Sequence, residues 1–158
     1  MLDYEIVIAD FVVSGGSMKS KITWQGGLSF EAELDGFHLT IDADKSVGGQ
    51  EKGPKPKGLT LVSLAGCTGM DVISILKKMK VEVGGFDVET EGTLAGEHPK
   101  KFTKIVTRYF FRGKNLPLEK LKKAINLSQE KYCGISATLA PAVTLKTEIL
   151  VNDQKIES

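Results

Sequence analysis

The chain has 158 residues, with 21 Lys+Arg against 20 Asp+Glu and a formal net charge of +1. Hydrophobic residues at 41% and charged residues at 26% are globular averages, which excludes a disordered tail protein and a fibrous repeat. The near-neutral balance lacks the basic footprint of a nucleic-acid binder, so no nucleic-acid partner is expected. All but two of the basic residues, Arg108 and Arg112, are lysine, which suits a solvated surface more than bidentate phosphate recognition. Two cysteines are too few for a secreted disulfide scaffold. A chain of this size buries about 69% of its unfolded surface, enough for one core. The expected organisation is an appended N-terminal arm or strand at residues 1–17 and a single domain at 18–158.

The opening MLDYEIVIADFVV carries Asp3, Glu5 and Asp10 and has no positive leading region, which argues against an export signal. The alternation of Tyr4, Ile6 and Ile8 with their neighbours reads as a strand, closed by the turn-like Ser14-Gly15-Gly16-Ser17. From Lys19 to Asp44 the pattern gives three short strands, broken at Gly26-Gly27 and at the hairpin pair Asp35-Gly36. A loop from Gly48 to Pro56 contains two prolines that prepare a helix start.

Leu59–Lys80 reads as a helix whose apolar positions cover most of its circumference, so it should be buried on nearly every side. Gly66 and Gly69 each weaken it by about 1 kcal/mol relative to alanine, which suggests that another backbone approaches there. Lys77, Lys78 and Lys80 complement the dipole at its C-terminal end. Asp71, Lys77 and Lys78 interrupt the apolar run, which falls short of the roughly 20 apolar residues of a bilayer span. The expectation is therefore a cytoplasmic chain with no membrane partner and both thiols free.

Two strands follow, Phe86–Leu94 and Phe102–Phe111. A second helix opens after Asn115-Leu116-Pro117, with Leu118, Leu121, Ala124, Ile125 and Ser128 on one face. It should end near Cys133-Gly134, where Gly134 can take a left-handed cap. The β-branched run Val143–Val151 makes a last strand. The fold class is α+β, in the order β-β-β-α-β-β-α-β. So few elements can hardly cover a helix apolar all round, and a second copy of the chain supplies the missing wall in a homodimer.

No metal constellation stands out, His38 and His98 are isolated, and no phosphate-binding or nucleophile-elbow motif is present. The two cysteines remain. Cys67 lies inside the apolar helix and Cys133 at the end of the second one. Each can be an inert packing residue. In the alternative, Cys67 is a peroxidatic thiolate and Cys133 a resolving thiol. Their sequence separation leaves the choice open, because a disulfide needs a Cα distance under about 7 Å.

The run Trp24-Gln25-Gly26-Gly27-Leu28-Ser29-Phe30, the loop Gly53-Pro54-Lys55-Pro56, and Leu64-Ala65-Gly66-Cys67-Thr68-Gly69-Met70-Asp71-Val72-Ile73 resemble the OsmC/Ohr family of osmotically inducible and organic hydroperoxide resistance proteins. Ser128-Gln129-Glu130-Lys131-Tyr132-Cys133 is similar to its second cysteine motif, and the resemblance, closest to the YhfA-like branch, spans residues 19–152. It implies antiparallel sheets wrapped around long central helices in an intertwined homodimer. It also implies reduction of organic hydroperoxides with Cys67 as nucleophile and Cys133 as resolver, no bound cofactor, and an external dithiol reductant.

The family's acidic residue ten positions before the first cysteine is Lys57 here, and its early-strand Arg falls at Gly27-Leu28. Cys67 sits too deep in its helix for the dipole to lower its pKa much, and burial raises it. Lys57, or else Arg108 or Arg112, is the candidate for the missing positive charge. The absence of the Arg–Glu pair favours the competing reading, a binding protein for a lipophilic small molecule whose cysteines are structural. A thiol redox partner of another protein is a third.

Overall fold

The structure, a computed structural model, describes residues 16–156. The expected strand within residues 1–15 lies outside the described residues. The chain forms two compact units that divide between Lys55 and Pro56.

The first unit is an antiparallel sheet of β1 (Ser20–Trp24), β2 (Phe30–Leu34) and β3 (Phe37–Ile41), in that spatial order. Its turns are where the glycine pairs place them. Asp35 and Gly36 have φ of 53° and 80°, the paired positive values of a type I′ hairpin. After β3 the chain wraps around Asp42, whose carboxylate accepts the backbone N–H groups of Ala43, Gln50 and Lys52. These bonds hold its pKa below the ordinary aspartate value. Gly53 is required in this loop, since a Cβ there would lie 1.9 Å from the Thr40 carbonyl oxygen.

The second unit is built on α1 (Pro56–Lys78) and a four-stranded sheet in the order β4-β5-β6-β7. α1 starts three residues before Leu59, because Pro56 suits the first helical position. It stops at Lys78, two residues short of the expected end, and Lys80 turns the chain with φ of 55°. β4 (Gly85–Leu94) and β5 (Phe102–Arg112) pair antiparallel.

The long connection after β5 holds α2 (Leu118–Leu127), a π turn at Ser128–Tyr132 and a third helix, α3 (Gly134–Leu139). The π turn is closed by Cys133 N–H donating to the Ser128 carbonyl at 2.7 Å, five residues back. Gly134 is therefore not a left-handed cap. It opens α3, and Cys133 is that helix's N-cap.

The crossover returns the chain as β6 (Thr144–Val151), which pairs parallel to β5, so this sheet is antiparallel except at that one pairing. A further strand, β7 (Gln154–Ile156), follows a tight turn at Asn152 and Asp153, with φ of 49° and 65°.

The core of this unit closes between one face of α1, α2 and β5. Val72, Ile75 and Leu76 of α1 meet Tyr109 and Phe111 of β5 and Leu121, Ala124 and Ile125 of α2. A second cluster joins Leu64, Ile105, Cys133 and Val143, with Cys67 packed against it. A Cβ added at Gly69 would meet side chains, Val88 at 3.4 Å and Phe86 at 3.9 Å, and not backbone, while one at Gly66 would meet nothing within 4 Å.

The expectation that α1 is buried on nearly every side is not met within one chain. Val62 and Met70 are 66% and 75% exposed. By length and composition α1 is apolar enough to cross a bilayer, contrary to the sequence reading; its most apolar window has a mean hydropathy of 1.8. Leu64, Val72, Ile75 and Leu76 nevertheless build the chain's own core.

Candidate active site: two thiols and a carboxylate on a hydroxyl chain

Cys67 and Asp71 stand four residues apart on α1, and hence on one face of it. The π turn and the start of α3 bring Cys133 against that face. Both thiols are free. Cys67 Sγ, Cys133 Sγ and a carboxylate oxygen of Asp71 all lie within 4.8 Å of one another. Cys133 is 2% exposed, and its sulfur accepts the Ser136 backbone N–H at 3.3 Å. This satisfies a donor at the N-terminus of α3 in the manner of an N-cap serine.

Burial pushes the Cys67 thiol up to about 11, reinforced by its hydrogen bond to Cys133 and by the charges of Cys133 and Asp71; a backbone hydrogen bond from Ile135 acts in the opposite sense. None of these groups is a cation. Asp71 is also raised by burial, against a hydrogen bond from Ser128.

Behind Asp71 runs a chain of hydroxyls, buried at Ser128, Thr68 and Tyr109 and reaching the surface at Thr147. Ser128 Oγ donates to Asp71 Oδ2 at 2.9 Å. Thr68 Oγ1 lies 2.9 Å from Ser128 Oγ and 2.7 Å from Tyr109 Oη. Gln129 Nε2 donates to Tyr109 Oη at 3.1 Å and to Thr147 Oγ1 at 2.7 Å. Burial raises the Tyr109 phenol, with the Thr68 and Gln129 hydrogen bonds opposing. Among the described residues no buried side-chain nitrogen or oxygen lacks a hydrogen-bond partner.

The structure thus brings together Cys67 and Cys133, and it places Lys57 elsewhere. Lys57 is ten residues before Cys67 on the same helix, about 15 Å along its axis. Its Nζ donates to the Lys100 carbonyl at 2.8 Å. Arg108 is held by Glu89, Glu91 and Glu148 at 2.8–2.9 Å, and Arg112 pairs with Asp87.

Sequence reasoning missed Asp71, Thr68, Ser128, Tyr109 and Gln129 as parts of the site. The spacing of Cys67 and Asp71 is the signal that was available for the first. Two surface recesses, of about 580 Å³ beside Lys80 and Lys120 and about 850 Å³ beside Lys104 and Thr147, contain neither cysteine in their walls.

An α+β unit with a long apolar helix, a parallel crossover strand and a helix-borne thiol facing a second thiol defines a recognisable class. The model of the OsmC-like protein family matches residues 49–148, and the chain belongs to that family. Protein YhfA of Escherichia coli K12 is 30% identical over 129 residues, covering 81% of this chain and 93% of that protein. A hypothetical protein of Aquifex aeolicus VF5 superposes with a TM-score of 0.77 at 31% identity, covering 87% of this chain and 97% of that one. At the level of fold, an organic hydroperoxide resistance protein of Legionella pneumophila superposes with a TM-score of 0.68 at 16% identity, over 87% and 99% of the two chains.

Proposed function

We propose that this chain reduces organic hydroperoxides, with Cys67 as the attacking thiol and Cys133 as the resolving one. The observation that carries this reading is the contact of two free thiols across α1 and α3, at opposite ends of a 66-residue separation. The Cys67 thiolate attacks the terminal oxygen of the peroxide, the O–O bond breaks, and the alkoxide leaves as the alcohol after taking a proton. The sulfenic acid on Cys67 then condenses with the Cys133 thiol, forming a disulfide and releasing water. An external dithiol reduces the disulfide and completes the cycle. Relatives of similar fold carry names that describe organic hydroperoxide resistance, which is consistent with this chemistry.

The working form in this proposal is a homodimer in the reducing cytoplasm. Val62, Met70 and Ile73 on α1 are exposed in the single chain, and a second copy covers them. The purified protein should turn over an alkyl hydroperoxide with a dithiol reductant and lose that activity in Cys67→Ser. Turnover no greater than in that variant overturns the proposal.

The second reading is a binding protein for a lipophilic small molecule with structural cysteines. It is favoured by the absence of a cation among the groups that shift Cys67 most. Retention of an apolar ligand by a protein inactive towards peroxides, unchanged in Cys67→Ser, would select it.

A further inference from the structure

We propose that Cys67, Asp71 and Cys133 form a binding site for a thiophilic divalent cation, zinc above all. Two sulfurs and one carboxylate oxygen within 4.8 Å of one another make a ligand set of the right composition. Tetrahedral zinc with bonds of about 2.3 Å to sulfur requires sulfurs about 3.8 Å apart, so closure needs a contraction of about 1 Å at most.

The set is also oriented from behind. Ser128 Oγ fixes one oxygen of Asp71 at 2.9 Å, and the Ser136 N–H fixes the Cys133 sulfur at 3.3 Å. Such outer hydrogen bonds are the usual means by which a metal site holds its ligands ready. Cys67 and Asp71 project from successive turns of one rigid helix, and Cys133 is locked by the π turn and its capping role.

Three groups that carry negative charge when ligating are gathered in one place, Cys133 buried and Cys67 and Asp71 half-buried. Three protein ligands leave a fourth position for water or a small anion.

Metal binding does not require peroxidase activity, although it shares the two thiols with it. On the peroxidase reading, a bound ion engages the electron pair that Cys67 needs for attack and so inhibits turnover. Conversely, two-electron oxidation of the thiols by peroxide to the disulfide removes two of three ligands and releases the ion.

The test uses the reduced full chain, freed of metal with a chelator and then titrated anaerobically with Co²⁺. Thiolate-to-cobalt charge transfer in the near ultraviolet should saturate at one equivalent per chain and be displaced by Zn²⁺ but not by Mg²⁺. Cys67→Ser and Cys133→Ser should each remove roughly half of that intensity, and disulfide-oxidised protein should show none. Asp71→Asn should keep the two-thiolate band and weaken binding about tenfold or more; Ser128→Ala should weaken it about tenfold. Serine is itself a good N-cap, so Cys133→Ser keeps α3 and leaves the assay interpretable.

Cobalt uptake without charge transfer, a band unaffected by Cys133→Ser, or unchanged affinity in Asp71→Asn overturns the proposal. The assay contains no peroxide, so its failure and the failure of peroxidase activity are separate results.

Discussion

The hydroxyl of Thr68 and the phenol of Tyr109 meet at 2.7 Å inside the core, joining the middle of α1 to β5. Each hydroxyl has a single hydrogen to donate. Ser128 commits its hydrogen to Asp71, so the hydrogen between Thr68 and Ser128 must come from Thr68. Tyr109 must then donate to Thr68, and Gln129 supplies the N–H to Tyr109. The hydroxyls of Tyr109, Thr68 and Ser128 all donate toward the Asp71 carboxylate, which ties this carboxylate, beside the two thiols, to the sheet.

Ser128→Ala removes both a donor to Asp71 and the acceptor of Thr68, with Ser128 itself fully buried. Leaving such groups unpaired costs about 1–3 kcal/mol. Urea unfolding should show that loss as a lower midpoint at unchanged slope; a loss below about 0.5 kcal/mol would contradict the single-direction chain.

Cys133→Ser should leave stability within about 0.5 kcal/mol, since a serine hydroxyl takes over the cap on Ser136. Treated with an alkyl hydroperoxide, this variant should accumulate sulfenic acid or more highly oxidised forms at Cys67, seen as added oxygen by mass spectrometry. An oxidation state identical to wild type would remove Cys133 from the resolving role.

Removing the charge of Asp71 should make Cys67 easier to ionise. Asp71 is one of the groups that raise this thiol towards about 11, so Asp71→Asn lowers its pKa and enlarges the thiolate fraction at a fixed pH near 8. Alkylation in the presence of a chelator should accelerate several-fold. A slower reaction in the variant would reverse the sign of the electrostatic account.

The Asp42 loop should loosen in acid. The folded pKa of Asp42 is depressed by three backbone N–H donors. Its contribution is therefore present above the unfolded value of about 3.9 and is lost as pH falls through the lower folded value. Amide exchange at Gln50 and Lys52, corrected for intrinsic rates, should report the loss of protection in that window. Asp42→Ala should remove the acid dependence, and a dependence that persists would locate it elsewhere.

Local chemistry was legible wherever it decided structure by itself. Gly26-Gly27 and Asp35-Gly36 marked their turns, and the apolar density of α1 marked the central helix. Leu121, Ala124, Ile125 and Ser128 are all buried on the expected face of α2 and its extension. What escaped was long-range or a matter of phase. The parallel pairing of β5 with β6 depends on a crossover of more than thirty residues, which periodicity does not encode. α3 was hidden because Gly134 reads as a helix stop, whereas the π turn makes it a helix start. The contact of Cys67 with Cys133 follows from that same turn. The distance of Lys57 from Cys67, by contrast, was already contained in the helical rise between them.

The π turn at Ser128–Tyr132 has a consequence for how this site can change. One residue of an α-helix is worth about 100° of rotation. Deleting any one residue from the turn swings Cys133 around the axis and away from Cys67, whatever residue is removed. Replacing the exposed Glu130 or Lys131 leaves the count intact and the sulfurs facing each other. The meeting of the two thiols is thus written in the length of five residues, so the exposed Glu130 and Lys131 should accept substitutions freely while the stretch refuses any change of length.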